Sequence, residues 1–432
     1  RTWSQMEEII RNLPKVELHA HLNGCIREST LIELANERGV TLPPHFGFCQ
    51  DNHPTSQDPP NGSYINSKPR SLENCFDIFV QIGQVVSDLE ALRRITFEAL
   101  QDFALHQVVY LELRTTPKIL LRTPFSSERC TKEDYITTVL SVIQEWDHSH
   151  QYALLTKEDG TSCMPLQVRL LLSIDRAQSR EEAEDTITLA IKMCNKKSDT
   201  SDSSAILSSD AINTEASSYI VGIDLGGNPF RNHFSDFTDS LETARQAGLK
   251  ITLHCGEVRH SNVLGENVTE SNLPLDLPHE SNSSLTEIEH IINFRPDRLG
   301  HALWMPSSLR PILESHPIPV EVCPTSNVMT LELATSFQGN LVEGLRRHPQ
   351  LEYWLKEGYP ISISTDDPGV FHTDPTKEWI LLVVTFNMNV AQIKRIILES
   401  LDHAFCDDSL KKSIRESILS YFQQIDVMIE KQ

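Results

Sequence analysis

Near the N-terminus, two histidines are spaced so that both could bind one metal ion. The run from Val16 to Gly24, VELHAHLNG, contains His19 and His21. Side chains two residues apart in a β-strand project from the same face, so both imidazoles would be presented together. An isolated His-x-His pair more often reflects two histidines in register on a half-buried strand. The other polar residues along the chain therefore decide between these two interpretations.

Two later residues would complete a set of ligands. His254 lies in the run KITLHCGE, and Asp366 lies in the run ISISTDD. Three imidazoles and one carboxylate, with one position left for water, are typical of a catalytic zinc site. Zinc lowers the pKa of a bound water to about 7, so hydroxide would be available near neutral pH. Asp367 would point away from Asp366 in an extended strand and could reach a bound ligand.

Glu257 and His301 could move or hold protons beside such a metal. Glu257 follows His254 by three residues, and Gly256 between them would let a substrate approach the backbone. A carboxyl whose pKa is raised by burial could deliver a proton from this position. His301 ends the run RLGH, and it could hold or deprotonate the water. Each signal is weak alone, because a single histidine is more often a core residue.

Eight short apolar runs would supply the strands that position these side chains. The first is the run around His19, and the others are Val108–Thr115, Gln167–Asp175, Tyr219–Gly227, Lys250–Glu257, Arg298–Ala302, Pro319–Ser326 and Pro360–Asp367. Helical stretches separate them, as is typical of parallel strands joined by crossover helices. Eight such units predict an α/β fold, a (β/α)8 TIM barrel of the metal-dependent hydrolase type, in which chemistry occurs at the carboxyl ends of the strands. The fourth run ends in DLGGN and offers no lysine to bridge a second metal, so we expect one zinc ion.

The chain of 432 residues is predicted to form a single catalytic barrel domain over 1–432, because such barrels often exceed 250 residues. Polar insertions are expected at 48–68, 194–218 and 260–284, where the composition cannot form a core and we expect mobility. Helical periodicity predicts additional helices. They lie at Met6–Asn12, at Ser29–Arg38, from Ser71 to Leu105 with a break near Asp88, and from Ser409 to Lys431.

Charge and cysteine content narrow the possible partners. The chain has 60 acidic and 38 basic residues, a net charge of −22, and such a field repels nucleic acid. No apolar run approaches the roughly 20 residues of a membrane-spanning helix, so no membrane partner is expected. Nine cysteines without a C-x-x-C spacing argue against a disulfide framework and favour a reducing compartment, the cytosol. The expected ligand is a small molecule.

Six motifs, found in order across nearly the whole chain, resemble those of the adenosine/AMP deaminase family. They are HAHLNG, GIDLGG, HCGE, RLGH, EVCPTSN and STDDPGVF. The resemblance implies hydrolytic deamination at C6 of a 6-aminopurine. It also implies one zinc ion, held by His19, His21, His254 and Asp366.

The same resemblance implies roles for the residues around the purine. Glu257 would protonate ring N1, and His301 would activate the water. The backbone N–H of Gly227 would contact N3, and Asp367 would reach N7. The H-x-E and P-C-x-x-C signature of cytidine-type deaminases is absent from the sequence.

Asn23 distinguishes between possible substrates. In adenosine deaminases, an aspartate at this position binds the ribose 5′ hydroxyl. A carboxylate about 4 Å from a 5′ phosphate would cost roughly 1 to 4 kcal/mol per charge pair, whereas an amide removes that repulsion. Asn23 therefore makes the chain resemble the adenosine-deaminase-like branch, the N6-methyl-AMP deaminases. This implies a monomer that converts N6-methyl-AMP and related N6-substituted purine nucleoside monophosphates to IMP and an amine.

A phosphate site is predicted where Arg70 and Ser71 precede a helix, with help from Thr115, Thr116 or Lys118. An ordinary helix cap and loop is the alternative interpretation of these residues. Two other functions stay open. One is an adenosine deaminase that produces inosine and ammonia, and the other is a catalytically silent barrel that binds nucleotide. The silent barrel is disfavoured because every candidate ligand and Glu257 are present.

Overall fold

A computed structural model gives the fold. It describes residues 3–42, 71–148, 165–195, 219–258 and 282–430. Arg70 and the predicted insertion at 48–68 lie outside these ranges. The other two insertions lie outside them as well, except for 194–195 and 282–284, which belong to helices at the edges of the described segments.

Within the described residues, eight parallel strands form one sheet in the order in which they occur in the chain. The strands are β1 (Lys15–His21), β2 (Val108–Thr115), β3 (Gln167–Asp175), β4 (Ile220–Gly226), β5 (Lys250–Cys255), β6 (Arg298–His301), β7 (Val320–Val322) and β8 (Ile361–Ile363). Their apolar side chains are almost all buried, as expected for a parallel sheet that is covered on both faces. The predicted (β/α)8 barrel is confirmed.

Backbone hydrogen bonds between β1 and the segment after β8 close the barrel at its carboxyl end. The Asp366 N–H donates to the His19 carbonyl at 2.8 Å, and the His21 N–H donates to the Asp366 carbonyl at 2.9 Å. Deeper in the barrel, the Thr365 N–H donates to the Glu17 carboxyl at 3.0 Å. Closure of the sheet therefore brings together the two segments that carry three of the candidate metal ligands.

Helices surround the barrel and follow the predicted pattern closely. The helices before β4 are α1 (Trp3–Asn12), α2 (Glu28–Arg38), α3 (Leu72–Val85), α4 (Leu89–Leu105), α5 (Lys132–His148) and α6 (Arg180–Asn195). The next are α7 (Thr238–Gln246), α8 (Asn282–Phe294), α9 (Arg310–Ser315), α10 (Pro324–Thr330) and α11 (Leu341–Leu345). The last are α12 (Leu351–Glu357), α13 (Pro368–Phe371), α14 (Pro375–Phe386), α15 (Val390–Asp402) and α16 (Asp408–Glu430).

The break predicted near Asp88 is confirmed, because Asp88 caps the first turn of α4 by accepting from the Ala91 N–H. None of the described helices is long and apolar enough to span a membrane.

The largest errors in strand length fall at the carboxyl ends of the seventh and eighth runs. The seventh run was expected to continue to Ser326, but β7 ends at Val322 and α10 begins at Pro324, a residue that favours the first turn of a helix. The eighth run was expected to continue to Asp367, but β8 ends at Ile363. Asp366 has a φ of 62°, in the left-handed region, so the expectation that it and Asp367 alternate along a strand was wrong.

Glu378 of α14 makes fold stability depend on pH. It is buried and accepts from the Thr325 N–H at the start of α10 (2.9 Å) and from the Thr373 hydroxyl. Burial raises its pKa from 4.5 to about 7. Because the pKa is higher in the folded state, the stabilising contribution is full below pH 4.5 and is lost as the pH rises through about 7.

The free energy of unfolding of the wild type should fall between about pH 4.5 and pH 7. In Glu378→Gln this fall should be smaller, by up to about 3 kcal/mol. Urea unfolding of both proteins across this range measures the difference. Parallel curves for the two proteins would contradict the prediction.

Candidate active site

One cavity at the carboxyl ends of the strands contains most of the sequence-predicted site residues. The predicted residues that line it are His21, Asn23, Thr115, Thr116, Lys118, Gly227, His254, Glu257, His301, Asp366 and Asp367. His19 lies directly behind this surface and is fully buried. Ser71 is not part of the lining. Its hydroxyl accepts from the Asn74 N–H and caps α3, as the cap interpretation predicted.

Four ligand atoms converge at the base of the cavity. The Nε2 atoms of His19 and His21 are 3.2 Å apart, and those of His21 and His254 are 3.3 Å apart. Asp366 Oδ1 lies 3.2 Å from His19 Nε2 and 3.3 Å from His21 Nε2. A tetrahedral ion with bonds of 2.0–2.1 Å requires ligand separations of about 3.3 Å. The four predicted ligands therefore fit one tetrahedral metal ion.

Carboxylates behind two of these imidazoles determine which nitrogen faces the ion. His19 Nδ1 lies 2.6 Å from Glu321 Oε2, and His254 Nδ1 lies 3.0 Å from Asp224 Oδ1. A carboxylate accepts, so each neutral imidazole carries its proton on Nδ1 and presents a lone pair at Nε2. Nε2 lone pairs that converge on one point repel one another, and a cation between them would remove that repulsion. This chemistry, together with the short distances, makes the cluster a candidate metal site.

Arg114 holds both supporting carboxylates. Its guanidinium lies 3.0 Å from Asp224 Oδ1 and 3.0 Å from Glu321 Oε2, and all three side chains are fully buried. Arg298 contacts the other oxygen of Glu321 at 2.7 Å. Burial alone would raise the pKa of Glu321, but the two guanidiniums hold it well below its usual range. Glu321 thus stays ionised and accepts from His19.

His301 lies beside the predicted metal ligands, and its Nε2 is farther from the Asp366 carboxylate than the Nε2 atoms of His19 and His21 are. Its Nε2 lies 3.8 Å from Asp366 Oδ2 and 3.9 Å from Glu257 Oε1, distances too long for direct hydrogen bonds. Candidate ligand atoms of His19, His254, His301 and Asp366 all lie within 4.8 Å of one another. His301 and Ala302 have φ values of 63° and 48°, a strained backbone that is typical of functional sites. The gap in front of His301 is wide enough for one oxygen atom.

Two further carboxyl groups, those of Glu257 and Asp367, line the cavity. Burial raises the pKa of Glu257. Burial and the neighbouring Asp366 carboxylate raise the pKa of Asp367 well above its usual value. Asp367 Oδ1 is buried and has no hydrogen-bond partner among the described residues. Gly24 packs so closely that a Cβ there would lie 1.8 Å from this oxygen, so only glycine fits. Both groups are placed to contact a bound ligand.

The cavity is lined by both polar and apolar side chains. Asn23, Thr116, Lys118 and Asp175 are among the polar ones, while Leu72, Cys75, Phe76 and Phe79 of α3 contribute apolar surface. The Thr115 hydroxyl is hydrogen-bonded to Tyr135 at 2.7 Å within the barrel wall. Thr116 and Lys118 are therefore better placed than Thr115 to contact a ligand.

Sequence reasoning missed the residues that support the ligands. Glu321 and Asp224 were part of quoted motifs but received no role. A signal was available for Glu321, because an acid between two valines in a buried strand must be paired. Asn327 and His348, whose contacts with His301 are described below, carried no comparable local signal.

A (β/α)8 barrel with three histidines and an aspartate converging at its carboxyl end defines the class of metal-dependent hydrolases. The family model for adenosine deaminase matches residues 14–421. The chain belongs to the adenosine deaminase family and is a hydrolase that acts on C–N bonds.

Individual relatives lie in the adenosine-deaminase-like branch. An N6-mAMP deaminase of Arabidopsis thaliana is 32% identical over 419 residues, which cover 94% of this chain and 97% of the relative. The crystal structure of an arabidopsis N6-mAMP deaminase superposes with a TM-score of 0.67 at 31% identity and covers 96% and 99% of the two chains. A structure of an ADAL–IMP complex gives a TM-score of 0.68 at 30% identity, with 96% and 98% covered.

Removing one supporting carboxylate should weaken metal binding. We expect Asp224→Asn to lower zinc affinity by about 10- to 100-fold, because the amide no longer enforces the proton on His254 Nδ1. Competition with a chromogenic chelator measures the affinity. Asp147→Asn is a matched control, since Asp147 accepts from the Tyr219 hydroxyl at 2.7 Å and is not among the residues that contact the ligands. Equal affinities in the wild type and Asp224→Asn would refute the role of Asp224.

Proposed function

We propose that this enzyme removes the amine from C6 of N6-methyl-AMP and related N6-substituted purine nucleoside monophosphates, giving IMP and an amine, with one zinc ion. Relatives named as N6-methyl-AMP deaminases align over nearly the whole chain. The observation that carries the proposal is that Asn23, Thr116 and Lys118 line the same cavity as the metal ligands. The neutral amide of Asn23 and the cation of Lys118 favour a phosphorylated ligand, whereas the Asp175 carboxylate in the same lining opposes one.

The ligand set favours zinc over harder ions. Three imidazole nitrogens and one carboxylate oxygen in tetrahedral arrangement suit zinc, whereas magnesium and calcium prefer six or more oxygen ligands. Zinc at this site would lower the pKa of a bound water to about 7 and so supply hydroxide near neutral pH. The protein contributes the orientation of the imidazoles through Glu321 and Asp224.

Three contacts would orient the purine. Glu257 would hold and deliver a proton at N1, and Asp367 would donate a hydrogen bond to N7. The N–H of Gly227 would meet N3. Gly227 has a φ of 88°, and a Cβ there would lie 2.3 Å from Asp175 Oδ1, so only glycine fits at this position. Contacts at three ring nitrogens would place C6 toward the metal ligands and the ribose toward Asn23.

Asn23 would permit a 5′ phosphate because it carries no charge. It lies in the short 3-10 turn Leu22–Cys25 directly after β1, and it is part of the cavity lining. Thr116 and Lys118 would supply a hydroxyl and a cation to the same phosphate. Arg70, the other predicted phosphate contact, lies outside the described residues.

Turnover of the purified, zinc-loaded protein on N6-methyl-AMP, AMP and adenosine in parallel tests the proposal. Formation of the hypoxanthine chromophore reports each reaction. We expect N6-methyl-AMP to be preferred over both alternatives. Activity on adenosine alone would retain the deaminase chemistry and overturn the assignment of a phosphate site. Absence of turnover on all three would support a silent nucleotide-binding barrel.

Asn23→Asp should discriminate against phosphorylated substrates. A carboxylate about 4 Å from the phosphate would cost roughly 1 to 4 kcal/mol, or about 5- to 1,000-fold in kcat/KM for N6-methyl-AMP, with a much smaller effect on nucleosides. Asn23→Ala is the matched control, because it removes the amide without adding a charge. Equal losses on nucleotides and nucleosides would remove Asn23 from the phosphate site.

Glu257→Gln should retain zinc and lose turnover. The amide is nearly isosteric with the carboxyl but cannot deliver a proton, so kcat should fall by about 100- to 10,000-fold. Metal analysis and thermal unfolding of the same preparation check that the site is intact. A variant with normal zinc content and near-normal kcat would exclude Glu257 as the acid at N1.

A further inference from the structure

A hydrogen-bonded chain behind His301 begins at the backbone of α12. The N–H groups of Gln350 and Leu351 donate to His348 Nδ1 at 3.2 Å and 3.0 Å. A backbone N–H can only donate, so Nδ1 accepts and a neutral His348 carries its proton on Nε2. Burial lowers the pKa of His348 to about 3, which keeps the ring neutral. The backbone thus selects one tautomer of His348.

Asn327 connects His348 to His301 through two hydrogen bonds of its side-chain amide. Its Oδ1 lies 3.2 Å from His348 Nε2, and its Nδ2 lies 3.0 Å from His301 Nδ1. Because His348 Nε2 donates, the atom of Asn327 that faces it must be the amide oxygen. The amide nitrogen therefore donates to His301, whose Nδ1 must accept. All three side chains are buried.

The far nitrogen of His301 consequently carries a hydrogen. In the neutral ring, an accepting Nδ1 leaves the proton on Nε2, which faces the gap beside Asp366 Oδ2 (3.8 Å) and Glu257 Oε1 (3.9 Å). A water oxygen placed about 2.7 Å from both His301 Nε2 and one of these carboxylate oxygens would form an angle of roughly 90° with them. Hydrogen bonding at oxygen tolerates this angle. Asp366 Oδ2 already accepts from the Ser326 hydroxyl at 2.7 Å.

We propose that His348 and Asn327 are positioning residues that hold His301 as a hydrogen-bond donor, through its Nε2–H, to the water oxygen that enters this gap. The proposal rests on the proposed function for the identity of the reaction. Of the two roles expected for His301, holding or deprotonating the water, this tautomer allows only holding, because it has no lone pair at Nε2. His301 orients the oxygen lone pair, and it does not remove a proton.

A purely structural role for His348 would not require this chain. Capping the first turn of α12 uses only Nδ1, and any acceptor of similar reach could do so. The hydrogen bond from His348 Nε2 to Asn327 is additional to the cap. Through Asn327 it connects His348 to Nδ1 of His301, a residue more than 40 positions away in sequence. The two roles of His348 can therefore be separated experimentally.

The first test reads the tautomer directly, without substrate. In protein labelled with 15N-histidine, long-range proton–nitrogen spectra distinguish a protonated from an unprotonated ring nitrogen, and a His301→Gln variant assigns the His301 signals. We expect Nε2 of His301 to be protonated and Nδ1 to be unprotonated. The reverse pattern in the wild type would overturn the proposal. Because no turnover is measured, this result is independent of which substrate the enzyme uses.

The second test compares two substitutions of His348. His348→Leu removes the donor, so we expect a mixed tautomer at His301 and a kcat at least about tenfold lower, with KM changed less than about twofold. His348→Gln places an amide N–H near the position of Nε2 and should recover both the tautomer and most of the kcat. His106→Leu is a matched control, because His106 is half-buried, bonds Thr376 at 3.0 Å, and precedes β2 at the opposite end of the barrel.

The combined outcomes are decisive. His348→Leu could lose thermal stability and keep both the His301 tautomer and kcat. This result would assign His348 a structural role only and refute its role in positioning His301. Failure of Gln to rescue the tautomer would refute donation by His348. The expected His301 tautomer in an enzyme inactive on N6-methyl-AMP would retain the positioning role of His348 and Asn327 and reject the proposed substrate.

Discussion

The buried guanidinium of Arg114 is the interaction on which the site depends. It lies between Asp224 and Glu321, and these two carboxylates hold the Nδ1 atoms of His254 and His19. The Arg114 Nη2 that contacts Glu321 also donates to the Leu18 carbonyl at 2.6 Å, which connects the network to β1. Removing one partner of a buried ion pair typically costs about 3 to 5 kcal/mol, because the remaining charge is left uncompensated. Arg114 thus couples folding of the barrel interior to the orientation of the metal ligands.

Around this network, the chain carries conformations that are unfavourable in isolation. His301, Ala302 and Asp366 all adopt positive φ, and such residues persist only where the surrounding structure over-determines them. The hydrogen bonds that close the barrel between Asp366 and β1 provide that constraint at one position. At His301, the hydrogen bond from Asn327 to the ring provides a similar constraint. The rigid interior therefore supports a strained surface that faces the cavity.

The strands and helices were predictable wherever local pattern alone sets the structure. β2 and β3 match their predicted bounds residue for residue, because continuous apolar runs leave little choice in a parallel sheet. The errors fall where the chain leaves the sheet. At Pro324 a helix begins within the range predicted as strand, and at Asp366 the backbone turns to the left-handed region. The turn at Asp366 is held by hydrogen bonds to β1, which a single run of sequence does not contain, whereas the helix at Pro324 had a local signal in its proline.

By itself, the sequence determined the barrel, the four candidate ligands and the family, because hydrophobic periodicity and short motifs are local properties of the chain. Only the tertiary structure decided how these residues are held. His19 meets Glu321 across 302 residues, and Arg114 meets Asp224 across 110. The direction of the hydrogen bonds from α12 through His348 and Asn327 to His301 likewise exists only after folding. The physical reason is that a histidine tautomer depends on which donor or acceptor reaches each ring nitrogen, and three-dimensional register, not sequence spacing, brings those groups together.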